Sequence, residues 1–272
     1  MRRLAAALVL AAAGLAGPAG AGVARCWVDD GAVVVSAAFG DITGDFLLDL
    51  SAPHSALHVD RALADGIVTP TASATLRLAG ARIPATLAVA SLDARSIGLP
   101  TTINGLIGAD ALRGYVVDIS LSPCRIALWR GRAPRFRATA RAPVSWIGGV
   151  PTVPASLTDG RAGLSGDFAV DTGTAAVRVS DEAASLSRAP KGVDPASRLH
   201  PPARLAALGL GGAALTALPA ALARDLPPGV LGAVGTAVWG HYAVRLDLRR
   251  GVLKLGPAAA LSGRRRARSA GS

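Results

Sequence analysis

Ser165 to Thr174 reads Ser-Gly-Asp-Phe-Ala-Val-Asp-Thr-Gly-Thr. Phe168, Ala169 and Val170 form the short apolar run of a buried strand. Asp171-Thr172-Gly173 ends that run in a sharp loop, with Gly173 supplying backbone freedom that a Cβ would deny. An aspartate is thus presented from a rigid strand end. Asp-Thr-Gly alone is also ordinary turn chemistry, so its meaning depends on the rest of the chain.

The same pattern occurs earlier, as Thr43-Gly44-Asp45-Phe46-Leu47-Leu48-Asp49-Leu50-Ser51-Ala52. Both copies share Gly-Asp-Phe, two apolar residues and then Asp, with Asp171 and Asp49 offset by 122 positions. Downstream, Leu106-Ile107-Gly108 matches Val230-Leu231-Gly232, 57 residues after Asp49 and 59 after Asp171. A third pair follows without a gap at an offset of 127, Tyr115 through Leu128 against Tyr242 through Leu255. Three correspondences in the same order predict a duplicated lobe. The lobes are expected over residues 25–131 and 144–257, joined by an Arg/Ala/Pro-rich linker at 132–143 that has room for a strand.

These two loops resemble the active-site loops of aspartic proteases of the pepsin and retropepsin type, here in a bacterial-style tandem form. The resemblance implies an all-β fold with short helices, built as two acid-protease-like β-barrel lobes. It makes Asp49 and Asp171 the catalytic pair, with Thr172, Gly173, Thr174 and Ser51 forming the active-site loops. Strands are expected at 32–38, 46–49, 74–78 and 83–90. The last two join through Ala79-Gly80-Ala81-Arg82 into a hairpin, which in the family would be the flap over the cleft. Its tip carries no aromatic residue, so an ordinary hairpin is the alternative. Leu208-Gly209-Leu210-Gly211-Gly212 repeats it in lobe two, and Ser180 to Pro202 reads as an irregular excursion. Leu106 and Ile107 would pack behind Asp49, while Asp110 starts a helix and Asp118 is an exposed strand residue.

The chemistry that the resemblance implies is hydrolysis of a peptide or protein substrate by a water held between two carboxyls. Two carboxylates that close cannot both ionise unaided, so one keeps a proton. Lobe one departs from the family pattern, with Leu50 and Ser51 where lobe two has Thr172 and Gly173. In the family the two hydroxyls lock the loops across the lobe interface, and Leu50 cannot supply its half. A lost buried hydrogen bond of that kind costs about 1 kcal/mol. Ser51 offers a hydroxyl one position late as a replacement. Two readings follow: an exported aspartic endopeptidase, and an inactive peptide-binding or structural relative. A variant of the first pairs lobe two with lobe two of a second chain in a homodimer; a monomer is the simpler expectation.

Arg2 and Arg3 followed by an apolar run from Leu4 to Ala16 read as a signal peptide over residues 1–24, with Ala19-Gly20-Ala21 and Gly22-Val23-Ala24 as cleavage sites. A retained anchor is the alternative; otherwise the mature chain works in the periplasm or outside the cell, without stable membrane insertion. The formal net charge of +11 includes Arg2, Arg3, Arg264, Arg265, Arg266 and Arg268; without those six the remainder carries +5. Residues 258–272 read as a basic disordered tail. No basic face interleaved with aromatics argues for nucleic acid. Cys26 and Cys124, the two cysteines, read as a structural disulfide closing 98 positions, for which loop entropy gives about 4.7 kcal/mol. His54, His58, His200 and His241 lack metal spacing and no Gly-x-Ser-x-Gly is present, so neither a metal nor a cofactor is expected.

Overall fold

In a computed structural model of the chain, residues 20–181, 183–184 and 203–258 are described. The first 19 residues, most of the 180–202 excursion and nearly all of the tail lie outside them. The chain is β-rich, with short helices, and forms two lobes of one plan.

Lobe one contains β1 (Gly20–Asp29), β2 (Ala32–Phe39), β3 (Ile42–Leu48), β4 (Ala56–His58), β5 (Thr71–Leu78), β6 (Ala81–Ala90) and β7 (Gly105–Ile107). Their order in the sheet is β1-β2-β3-β7-β4-β6-β5, closed by a further β2–β5 pairing. Lobe two repeats this with β11 (Ser145–Ile147), β12 (Val150–Thr158), β13 (Gly163–Val170), β14 (Val177–Ser180), β15 (Ala203–Leu210), β16 (Ala213–Ala223) and β17 (Gly232–Val234). The order is β11-β12-β13-β17-β14-β16-β15, closed by β12–β15. The lobes therefore match strand for strand. Short helices α1 (Val59–Ala64), α2 (Asp93–Ser96), α3 (Ala109–Leu112) and α4 (Thr236–Trp239) fill connections.

Each lobe ends in a hairpin, β8 (Val116–Leu121) with β9 (Cys124–Trp129), and β18 (Tyr242–Asp247) with β19 (Val252–Pro257). β8 and β18 pair antiparallel, so the lobes share one sheet, which β10 (Ala140–Pro143) extends along β19 from within the linker. The expected disulfide joins Cys26 at β1 to Cys124 at β9.

The strands that carry the aspartates are central for a legible reason. Phe46, Leu47 and Leu48 in β3, and Phe168, Ala169 and Val170 in β13, are all buried. Burial on both faces suits a strand with neighbours on both sides, and β7 and β17 run parallel to them, pairing Phe46 with Gly105 and Phe168 with Gly232. That register corrects one correspondence read from the sequence. Gly105-Leu106-Ile107-Gly108 matches Gly232-Ala233-Val234-Gly235, not Val230-Leu231-Gly232. The offset is then the same 127 as in the closing hairpins. A Cβ on Gly108 would lie 2.8 Å from Ala52 O, and one on Gly235 2.2 Å from Ala176 O. Both glycines let the backbone of the aspartate loop pass close by. The small Ala233 opposite Leu106 disguised the match.

The β5–β6 hairpin turns through Ala79 and Gly80, and β15–β16 through Gly211 and Gly212, all with positive φ as a two-residue hairpin of the primed type requires. Neither tip is a flap. A Cβ on Gly22 of β1 would lie 3.5 Å from Ala79 O, and one on Gly211 2.6 Å from Arg141 O of β10, so both tips pack on the shared sheet. The other end of the first hairpin approaches the Asp49 loop, where Ala88 N donates to Ser55 O at 3.1 Å.

Asp118, expected to be exposed, is buried in β8. The β8–β18 register sets it opposite Arg245, whose Nε and Nη2 reach its two oxygens at 2.6 and 2.7 Å. Trp129 Nε1 also donates to it, and Arg245 Nη1 donates to Pro134 O. This fork joins the lobes. Asp118→Ala strands a buried guanidinium and is expected to cost about 3–5 kcal/mol in urea unfolding, whereas Asp118→Leu with Arg245→Met recovers most of that loss.

Candidate active site

Asp49 and Asp171 each follow the last residue of a central strand, and the same backbone contact holds both. Asp49 N donates to Ile107 O at 3.0 Å, and Asp171 N to Val234 O at 2.9 Å. Their loops meet across the lobe interface. Thr172 Oγ1 donates to Leu48 O at 2.7 Å and accepts from Leu50 N at 3.1 Å. A Cβ on Gly173 would lie 2.7 Å from the Asp49 carboxylate, so only glycine lets the loops close to this distance. Asp49 and Asp171 are 1 % and 0 % exposed, at the contact between the two loops.

The lock between the loops is one-sided. Leu50 is fully buried and carries no hydroxyl to return the Thr172 contact. A second cross-lobe bond is also unmatched: Val33 N donates to Thr172 O at 2.8 Å, while the equivalent residue in lobe two is Pro151, which has no N–H. Ser51 does not replace the missing half. Its Oγ donates to Asp49 Oδ1 in its own loop at 2.6 Å, and its N–H donates to the same oxygen at 2.9 Å. In lobe two those contacts come from Gly173 N, Thr174 N and Thr174 Oγ1 to Asp171. Ser51 thus orients Asp49.

Three charged residues complete the site. Arg178 lies in β14, paired with Ala233, where the lobe-one register puts Ala56 against Leu106. Its Nε donates to Asp171 Oδ2 at 2.9 Å, Nη2 to Ser51 Oγ at 3.2 Å and Nη1 to Asp225 Oδ1 at 2.7 Å. Arg95, at the end of α2, donates from Nη1 to Asp49 Oδ2 at 2.8 Å and from Nη2 to Asp225 Oδ2 at 3.1 Å. Arg95 and Asp225 come from corresponding places, each after the second strand of its lobe's hairpin. The result is an alternating chain, Asp49–Arg95–Asp225–Arg178–Asp171, closed over the carboxylate pair.

Burial pushes the Asp171 carboxyl above its ordinary range; Arg178 opposes this and the Asp49 charge adds to it. Burial also works against the Arg178 charge, but Asp171, Asp225 and Asp49 outweigh it and push its pKa above the usual guanidinium range. Asp225 is likewise disfavoured by burial, yet Arg178 and Arg95 hold it below the ordinary carboxylate value.

A carboxylate offers about four lone-pair sites. Asp171 receives four donors, two on each oxygen, and Asp49 receives three. Little acceptor capacity is left for a water between them. Among the described residues no cluster of His, Cys, Asp or Glu could hold a metal ion.

With this geometry in place, the solved structures supply a comparison. The aspartic proteinase from Irpex lacteus superposes with a TM-score of 0.54 over 89% of this chain and 98% of its own, at 14% identity. The chain has the pepsin-like two-lobed fold. No protein-family profile matches its sequence, and no curated protein matches it. At 14% identity the pepsin-like likeness concerns the fold, and the chemistry must be argued from the residues.

Arg95, Arg178 and Asp225 were not anticipated from the sequence. Arg178 left a signal, since Val177-Arg178-Val179 sets a cation inside an apolar run. Arg95 and Asp225 left none, because their partners lie 46 and 47 or more positions away. Arg178→Met removes one side of a buried pair and is expected to cost about 3–5 kcal/mol near neutral pH. Without Arg178 the folded-state pKa of Asp171 rises further above its unfolded value of about 3.9. A carboxyl raised on folding penalises the folded state at high pH, so the deficit shrinks as pH falls through that raised pKa. Urea midpoints from pH 7 to about 4 read this out; a constant deficit would mean that Asp171 carries no charge to compensate.

Proposed function

We propose that this chain is a non-hydrolytic relative of the pepsin-like proteases, a peptide-binding or structural module in which the former catalytic pair has become an ion-paired joint between lobes. The observation that carries this reading is the set of donors on Asp49 and Asp171. Water activation needs one carboxylate free to take a proton and one acid to hydrogen-bond the carbonyl. Here Arg178 and Arg95 each bond one carboxyl of the pair while sharing Asp225, and Arg95 lies on the Asp49 oxygen that the Ser51 donors leave open. The loss of the second hydroxyl at Leu50 points the same way.

A second reading, the exported aspartic endopeptidase, has its own support. The loops are in register, Gly173 keeps them close, and burial with the Asp49 charge raises Asp171 as a shared proton requires. In that reading Asp49 and Asp171 share the water, Thr172, Gly173 and Thr174 shape its loop, and Arg95, whose side chain is 27% exposed, withdraws when substrate binds. The intramolecular Thr172 contacts favour a monomer over pairing of two second lobes, since lobe one already occupies that face.

Export is part of the proposal. The Cys26–Cys124 disulfide suits an oxidising compartment such as the periplasm or the exterior. No helix among the described residues is long and apolar enough to cross a membrane.

Incubation with an unfolded protein from about pH 3 to 7, followed by mass spectrometry, tests both readings. The expected result is no new termini at any pH. Cleavage that disappears in both Asp49→Asn and Asp171→Asn would overturn the non-hydrolytic reading in favour of the protease.

A further inference from the structure

Away from the carboxylate pair, the linker and the closing hairpins enclose a cavity of about 600 Å³. Its walls come from the segment after β9, from β18 and β19, and from the turn between them. The volume is within the roughly 300–1,000 Å³ of small-molecule sites. Arg245 lies at the cavity, buried and forked onto Asp118, with its guanidinium 4.9 Å from the centre of the Phe136 ring. Arg250 pairs with Asp247 at 3.6 Å. Five further cations line it: Arg130, Arg132, Arg135, Arg249 and Lys254.

These five have no carboxylate partner among the described residues. Seven cations against Asp118 and Asp247 leave five positive charges uncompensated. The whole chain apart from its six terminal arginines carries a net charge of +5. Like charges gathered in one concavity focus the field there. Arg130 and Arg249 are also oriented: the Arg130 guanidinium stacks over Tyr115 at 5.4 Å, and Arg249 Nη1 donates to Arg130 O. Converging like charges repel, and a bound anion relieves that repulsion. Guanidinium forks match the oxygens of phosphate groups two at a time.

We infer that this cavity is a binding site for a multivalent phosphate oxyanion, a chain or ester carrying two or more negative charges. The site is independent of the reading of the carboxylate pair. Arg245 is part of the lobe joint, and the outer cations engage the ligand. The same chemistry is offered by a soluble polyphosphate and by a phosphomonoester lipid headgroup.

Calorimetric titration of the full chain with sodium tripolyphosphate, at an ionic strength of about 0.15 M, is the direct test. Flotation with vesicles of phosphatidylcholine containing phosphatidic acid is the second arm. Saturable one-to-one binding of tripolyphosphate assigns a soluble ligand, and binding to phosphatidic acid vesicles alone assigns a lipid headgroup. In either case the triple substitution Arg132→Ala, Arg135→Ala, Lys254→Ala weakens binding at least about tenfold. All three side chains are at least partly exposed, so folding is retained, which an unchanged urea midpoint verifies. Replacing Arg264, Arg265, Arg266 and Arg268 with Ser leaves binding within about twofold. Absence of binding in both arms, equal binding by the triple variant, or loss of binding on changing the tail would each overturn the inference.

Discussion

Two carboxylates buried face to face at a lobe interface are a constraint that the surrounding structure must satisfy. The Thr172 hydroxyl, bonded to Leu48 O and Leu50 N, draws the loops together, and Gly173 removes the last steric obstacle to that approach. Once Asp49 and Asp171 share so small a volume, their repulsion must be relieved by a shared proton or by cations. In this chain Arg178 and Arg95 oppose it, while burial still pushes the Asp171 carboxyl above its ordinary range. Arg178 reaches the interface from a strand position that is Ala56 in lobe one, and Arg95 reaches it from the helix after the first hairpin. Asp225 then holds both guanidiniums in place, since two unlinked arginines side by side would repel each other.

The same constraint explains why the lobes diverged unequally. Lobe two keeps Thr172, Gly173 and Thr174, and with them a full set of loop donors to Asp171. Lobe one keeps its aspartate but has Leu50, Ser51 and Ala52. Ser51 takes over with one residue what Gly173 and Thr174 do with two, giving Asp49 both a backbone and a hydroxyl donor. Leu50 meanwhile exchanges a cross-lobe hydrogen bond for apolar burial. Burying a Leu side chain is worth about 1.5–3 kcal/mol, more than a net hydrogen bond of about 1 kcal/mol. Burial of Leu50 therefore helps hold the interface where lobe one has no hydroxyl. Each aspartate also holds a guanidinium that Asp225 would otherwise hold alone.

Much of this was legible in the sequence because it depended on local pattern. The repeat around Phe46 and Phe168 pointed to two lobes with an aspartate at equivalent places, and the gap-free match of Tyr115–Leu128 with Tyr242–Leu255 marked the closing hairpins as equivalents. Leu50 announced the one-sided lock. What stayed hidden was set by register and by distant partners. The glycine match slipped by three residues because Ala233 and Leu106 differ in size while sharing one place in the ladder. Asp118 looked like an exposed strand residue, and nothing within its own hairpin reveals that β18 brings Arg245 opposite. The hairpin tips could not be placed from composition, since their position depends on β1 and β10 lying beneath them.

The lobes are joined at two separated places by the same device. At the shared sheet Arg245 forks onto Asp118, and near the loops Arg95 reaches Asp225. A carboxylate from one lobe meets a guanidinium from the other at Asp118–Arg245 and again at Asp225–Arg95. Such contacts fix orientation more firmly than apolar packing, because a guanidinium fork tolerates little rotation before its bonds are lost. Binding of an extended chain between the lobes of this fold would require them to part at the loops. Opening there breaks the Asp225–Arg95 contact but leaves Arg178 with Asp171, since both belong to lobe two. The first step of opening therefore exposes Asp49 with its own Arg95, and Asp171 keeps Arg178, which it shares with Asp225. On the non-hydrolytic reading, a water admitted to the gap meets Asp49 still bonded to Arg95 and Asp171 still bonded to Arg178.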